Sequence, residues 1–418
     1  MDRKLTVGQN TVYNTIGSCF YLACQWLITV LVIWLGSVEY GGILTLAMSV
    51  TNVLFTLGTF GIRSYQVSDY EKKYTTGEYV TTRLFLCACS LIICIGYSFL
   101  FSGQTTYVAA CITAYMLFRL GEALSDENQA IQQVGGRMDY VFWSFVMRGI
   151  LLVGSFAATL VLTKDLLTTF AVMAAATGAV VLLYELPKSR KLDPFSWKFN
   201  LQRTWKLISE NIPLMTNSFL MAFCITIPRT ALDNLWGHYE MGIYGSIAAP
   251  AAIVQSAVLW LYMPSLTQFA EYYHEGQDEA FHRLNRKMIL LIAGAAAVIM
   301  IGAAVLGKWG LNLLFGAEVA ARSDLLIPTL GTTVLIAAEY YVSALLTVVR
   351  NLKAILISNI AAVAVTIAIS DLMIRPYGAM GVNYVIYISM AVTLVIQGIA
   401  LGKNFREHFG KGKKDAGV

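Results

Sequence analysis

Charge is what this chain has least of. Only 13% of its 418 residues are Asp, Glu, Lys or Arg, while 57% are hydrophobic. Soluble domains carry about 25% charged residues, so the composition excludes an ordinary soluble domain and points to a polytopic membrane protein. Histidine is scarcer still, with four residues. The seven cysteines (Cys19, Cys24, Cys87, Cys89, Cys94, Cys111 and Cys224) all fall in apolar segments and form no CxxC pair. Without a His-rich partner set they read as small buried thiols, not as metal ligands or a redox couple. No Lys/Arg stripe accompanies the net charge of +5, so nucleic acid is not an expected partner. The chain also lacks a nucleotide-binding loop, a metal-ligand cluster and a catalytic triad. Met1-Asp2-Arg3-Lys4 leads into an apolar run too long for the core of a cleaved leader, so the first span is expected to act as a signal anchor.

What is present is a series of long apolar runs. A helix needs about 20 apolar residues to cross a bilayer. Spans are expected at 12–35, 41–62, 84–102, 106–124, 141–163 and 166–186, then at 210–236, 240–263, 288–307, 325–349, 354–374 and 381–402. Residues 84–118 carry no charge and are too long for one helix; Ser102-Gly103-Gln104 is the expected hairpin that divides them. The basic residues fall mostly in one set of loops, from Arg63, Lys72, Lys73 and Arg83 through Lys188 to Lys206, Arg283 to Lys287 and Arg350 with Lys353. The other set holds only Lys164, Lys308, Arg322 and Arg375. The positive-inside rule then places both termini in the cytoplasm. The outer loops are too short for an external catalytic head. Trp197, Phe199, Leu201, Trp205 and Ile208, interleaved with Lys198, Arg203 and Lys206, read as an amphipathic segment at the inner surface.

The two sets of six spans share a signature. Gly36-Ser37-Val38-Glu39-Tyr40-Gly41 and Gly237-His238-Tyr239-Glu240-Met241-Gly242 both read G-x-x-E-x-G in the outer loop after the first span of each set. Six spans per half preserve orientation, so the halves are expected to be parallel repeats. The expected organisation is an N-terminal six-helix bundle over 1–186, a cytoplasmic linker over 187–209, a C-terminal bundle over 210–402 and a basic tail over 403–418.

Against this background a few charges stand out, because a charge at a helix centre costs at least about 2.5–3.5 kcal/mol on insertion scales. Arg119, Arg148 and Arg229 lie within apolar stretches, which suggests a cationic cavity and hence an anionic cargo. Arg119 and Glu122 share a helix face at i, i+3, with Asp126 continuing that end. Two readings stand: Arg119 and Arg148 flank one inner vestibule, or Arg119–Glu122 is a structural pair and Arg148 snorkels. Ile227-Pro228-Arg229 breaks the helical ladder beside a cavity. Arg229 either contacts cargo or pairs with Asp233 to close an outer gate. Glu339, the carboxylate deepest in a span, is the candidate for coupling to a proton or sodium ion. No other cofactor is expected.

Gly58 to Arg63, Tyr65 to Asp69, Arg119 to Asp126, Gln133 to Asp139, Ile227-Pro228-Arg229 and Gly242-Ile243-Tyr244 carry a resemblance. Through them the chain resembles the bacterial polysaccharide (O-antigen type) flippases of the multidrug/oligosaccharidyl-lipid/polysaccharide exporter superfamily. That resemblance implies two six-helix bundles forming a V around a central cavity. It implies a polyprenyl-pyrophosphate-linked oligosaccharide as cargo, moved outward across a bacterial cytoplasmic membrane. The expected partners are that cargo, membrane lipid and polysaccharide polymerase machinery. Arg63, Arg119, Arg148 and Arg229 would suit the pyrophosphate, since guanidinium offers forked donors. Two rivals are a cation-coupled multidrug antiporter of the same superfamily and a membrane-embedded glycan polymerase or ligase. The first is disfavoured because span one holds no Asp or Glu. The second would need a larger outer loop.

Overall fold

The computed structural model describes residues 6–69, 72–197, 199–250, 262 and 265–415, and among these every regular element is helical. Nine stretches of the described residues are long and apolar enough to cross a bilayer, or ten if the bent pair Leu201–Ile212 and Met215–Ala248 counts as one span. The stretch Leu352–Arg406 itself holds two helices parted at Gly378. The all-α, many-spanning architecture is the one the composition predicts. The span expected at 240–263 runs largely through 251–261, outside the described residues.

The chain forms two compact units, Met1–Ala222 and Phe223–Val418. The first contains α1 (Val7–Leu35), α2 (Val38–Thr59), α3 (Ile62–Ser68), α4 (Thr76–Gly96), α5 (Thr106–Val134), α6 (Met138–Thr163), α7 (Leu166–Val180) and α8 (Leu186–Leu192). It also takes the start of α9 (Leu201–Ala248). The second holds the rest of α9, then α10 (Leu266–His274), α11 (Asp278–Phe315), the short α12 (Ala317–Ala320), α13 (Leu326–Val348), α14 (Leu352–Tyr377) and α15 (Ala379–Asp415). The segment 187–209 therefore packs with the first unit. Leu207, Ile208 and Met215 join Phe60, Ile62, Tyr74, Tyr79 and Leu86 in one apolar cluster.

Helix ends follow local chemistry. Ser37 caps α2 by accepting from the Tyr40 N–H at 3.2 Å, and Asp165 caps α7 through the Thr168 N–H at 2.8 Å. Thr75 and Glu78 cap each other reciprocally at the start of α4. Ser102-Gly103-Gln104 does divide the long apolar run: a π-helical turn over Tyr97–Phe101 ends there, and Gly103 takes φ +69°. The second glycine-led signature also breaks its helix, since Gly237 has φ +84° inside α9, a region open to glycine at little cost.

α5 is the central helix of the first unit, packed by α2, α4 and α7, while α1 lies along α6. Phe118, Phe156 and Phe170 are fully buried in its core. Leu100, Leu162 and Leu183 point outward and exposed. In hydrocarbon that outward leucine surface costs nothing, and helix association rests on close packing and interhelical polar contacts.

Candidate functional site

The polar contacts of the first unit converge on α5. Its helix runs to Val134, ten residues beyond the boundary expected at 124. Arg119 and Glu122 consequently sit at mid-helix, not near its inner end, and Gln132 and Gln133, expected in the loop before span five, are helical. The polar end is helical because its charges are met by neighbouring helices. Glu122 accepts from the Tyr21 hydroxyl and from the Gln25 amide, both at 2.6 Å, and pairs with Arg119. The Arg119 guanidinium lies over the Phe55 ring, 4.0 Å from its centroid. The i, i+3 pair read from the sequence is therefore formed.

The alternative in which Arg148 snorkels is corrected: the residue is buried against a carboxylate on another element. It is 3% exposed and lies 3.4 Å from Glu185, which is 0% exposed, with the Tyr21 ring 4.6 Å away. Glu185 sits on a π-helical turn, Val181–Glu185, between α7 and α8. It also accepts from Ser125 at 2.5 Å and from Ser144. Glu185 carries no signal of a buried role in the sequence, because it lies one residue from the expected end of span six. The extra residue of a π turn also shifts the helix phase that would point it inward.

Arg63 and Arg83 form the neighbouring cluster. Arg63 donates to Asp126 at 2.9 Å and to Gln129 and Gln133 at 3.0 Å. Arg83 was assigned to a basic inner loop, but it is fully buried within α4. It pairs with Asp126 at 3.0 Å and Glu127 at 3.2 Å and donates to the Thr59 carbonyl at 2.6 Å. Gln129 links the two clusters through Ser125 at 3.4 Å. The result is a balanced set: Arg63, Arg83, Arg119 and Arg148 against Glu122, Asp126, Glu127 and Glu185. The cationic enclosure expected from the arginines alone is thus formally neutral within this unit.

The second unit differs. Asp233 takes His238 as its partner, Oδ1 to Nδ1 at 2.7 Å, so the alternative Arg229–Asp233 pair is not formed among the described residues. Arg229 instead stands beside Tyr244, 5.8 Å from the ring centroid, and its buried Nε has no hydrogen-bond partner there. α9 stays helical through Ile227-Pro228-Arg229. Glu339 on α13 is 0% exposed. Its Oε1 accepts from Ser343 at 2.6 Å and Gln397 at 3.0 Å, while Oε2 has no partner among the described residues. Gln397 also reaches Ser358 on α14 at 3.1 Å. Both donors are neutral, so among the described residues this carboxylate has no counter-charge of the kind the first unit supplies. No His/Cys/Asp/Glu metal cluster occurs among the described residues.

No family model matches the chain. Over 410 residues it is 24% identical to the capsular polysaccharide biosynthesis protein CapF of Staphylococcus aureus, covering 93% of this chain and 97% of that protein. Among solved structures, it superposes with a TM-score of 0.70 on an inward-facing multidrug resistance MATE family transporter of the MOP superfamily, at 11% identity over 97% of this chain and 96% of that one. It also matches the lipid II flippase MurJ in an inward closed conformation, with a TM-score of 0.60 and 12% identity over 95% and 90% of the two chains. The chain thus has the fold of the multidrug/oligosaccharidyl-lipid/polysaccharide (MOP) exporter superfamily. A sequence relative of the chain is a capsular polysaccharide biosynthesis protein, in agreement with the resemblance to polysaccharide flippases of that superfamily.

Proposed function

We propose that this protein is a flippase that moves a polyprenyl-pyrophosphate-linked oligosaccharide from the inner to the outer leaflet of the bacterial cytoplasmic membrane by alternating access, in the making of a cell-surface polysaccharide. The observation that carries the reading is Arg229. A guanidinium kept inside an apolar unit without a carboxylate partner among the described residues is expensive, and an anionic cargo headgroup would repay that cost. The planar fork of arginine matches a pyrophosphate better than a point charge does. Similarity to a capsular polysaccharide protein along nearly the whole chain supports the glycan part of the reading. MurJ, which shares the fold, is described as a flippase of lipid II, and this supports the lipid-linked part.

In this reading Arg119, Arg148 and Arg63 reach the cargo only by exchanging a carboxylate for it, whereas Arg229 is ready. Glu339 is the coupling acid: binding a proton or a sodium ion there removes a charge that is costly in low dielectric. A second reading, a cation-coupled multidrug antiporter, is favoured by that same buried acid. It is disfavoured by α1, which holds no Asp or Glu. The test is export of the host glycan by Arg229→Ala in a strain lacking the chromosomal copy. Export should fall at least about tenfold at unchanged membrane abundance, with partial recovery in Arg229→Lys. Full complementation by Arg229→Ala would refute a cargo role for this residue.

A further inference from the structure

A cavity of about 610 Å³ that none of the four networked arginines lines opens in the first unit between the α3–α4 loop, the end of α5 and the segment after α8. Its walls are fixed by close backbone contact. A Cβ on Gly77 would stand 2.3 Å from the Ser196 carbonyl oxygen, so segment 193–196 lies directly on the first turn of α4. The Thr76 hydroxyl ties it there by donating to Asp193 at 2.5 Å. At the rim Lys72 holds a left-handed backbone, φ +52°, a conformation costly for a side-chain-bearing residue.

The lining chemistry narrows the ligand. Asp69 and Asp193 outnumber Lys72, which disfavours a phosphate. Asp69 is already satisfied by the Lys73 and Tyr74 N–H groups and the Tyr79 hydroxyl. Gln66 is only 8% exposed, yet its Oε1 has no hydrogen-bond partner among the described residues. It calls for a hydroxyl or amide donor from a ligand, since an unmet buried acceptor costs about 1–3 kcal/mol. Ile131, Val134 and Phe195 make part of the lining apolar. The volume lies within the roughly 300–1,000 Å³ usual for small-molecule sites.

We infer that this cavity binds a neutral saccharide ring, with a hydroxyl or acetamido N–H donating to Gln66 and a C–H face on Val134 and Phe195. The inference rests on the glycolipid reading above and adds to it a site for the sugar, separate from the arginine that faces the pyrophosphate. The experiment is saturation-transfer NMR on the full chain in detergent with free glucose, galactose and N-acetylglucosamine. At least one sugar should receive transfer from the parent. Gln66→Leu should weaken it about tenfold, Val134→Trp should abolish it by filling the cavity, and Arg229→Ala should leave it unchanged. Val134 is exposed, so its replacement leaves the core intact. Absence of transfer from all three sugars, or equal transfer in Val134→Trp, overturns the inference. The two readings fail separately: sugar binding with normal export by Arg229→Ala removes the cargo role of Arg229 alone, and export that depends on Arg229 without sugar binding removes the cavity alone.

Discussion

Removing either member of the Arg148–Glu185 pair should cost far more than removing both. The two groups lie 3.4 Å apart and are almost wholly buried. At an effective dielectric of about 20 their attraction is about 5 kcal/mol. Deleting one partner of a buried pair typically costs about 3–5 kcal/mol, because the other charge is left uncompensated. Replacing both by apolar groups of similar volume is often neutral. We therefore expect Arg148→Met and Glu185→Leu to lower the midpoint of thermal unfolding of the purified chain by roughly 6–20 °C each, on the scale of about 2–4 °C per kcal/mol for units of this size. The double variant should recover most of that loss. The assay is a thermal series in detergent with monodispersity as readout, alongside glycan export. Export lost by Arg148→Met and restored by the double variant would identify the pair as structural. Two small single effects that simply add in the double variant would refute the reasoning.

Glu339→Gln should abolish the dependence of transport on external pH or sodium; a rate and ion dependence equal to the parent would remove Glu339 as the coupling acid. Burial pushes the Asp69 carboxyl up, but donors from Lys73, Tyr79 and Tyr74 outweigh it and hold the group below the usual carboxylate value. Its contribution is then fully present above about pH 4, the unfolded value, and is lost as pH falls through the lower folded value. Asp69→Asn should flatten that acid limb in thermal midpoints measured from about pH 5 downward, and an unchanged limb would count against it. Cysteines placed at Ser37 and His238 in a background without native cysteines should react with an impermeant thiol reagent added outside intact cells; labelling confined to inverted vesicles would reverse the orientation.

Much of the architecture was legible because a bilayer leaves few options: apolar runs of span length, parted by turn residues such as Gly103 and Gly237, have to be helices. The site was legible in part. Arg119–Glu122 could be read from spacing alone, because one helix carries both groups. Glu185 and Arg83 could not be placed that way, since their partners lie on other helices. Arg83 did carry a local signal. The Thr75-x-x-Glu78 capping box starts α4 well before Arg83 and puts it inside the helix, whereas the charge-free run that begins at residue 84 draws attention away. Tyr21 and Gln25 left no signal, because a hydroxyl and an amide in an apolar span are common and only the fold brings them to Glu122. The choice between Asp233 and a cargo for Arg229 was open in the sequence. In the structure Asp233 pairs with His238, five residues beyond it, and not with Arg229.

The four-against-four balance in the first unit also shapes how this protein can change over generations. A lone loss at Arg83, Arg119 or Arg148 strands a carboxylate, and a lone loss at Glu122, Asp126 or Glu185 strands a guanidinium, while Arg63 and Glu127 are tied to the set through the shared partners Asp126 and Arg83. Each intermediate stands several kcal/mol below its parent, close to the whole margin by which a folded unit persists. Drift at these eight positions is therefore channelled into compensated pairs, with Arg148 and Glu185 replaced together and Asp126 constrained twice over. Among descendants of this chain the surface loops can diverge residue by residue, whereas this interior set evolves as coupled units.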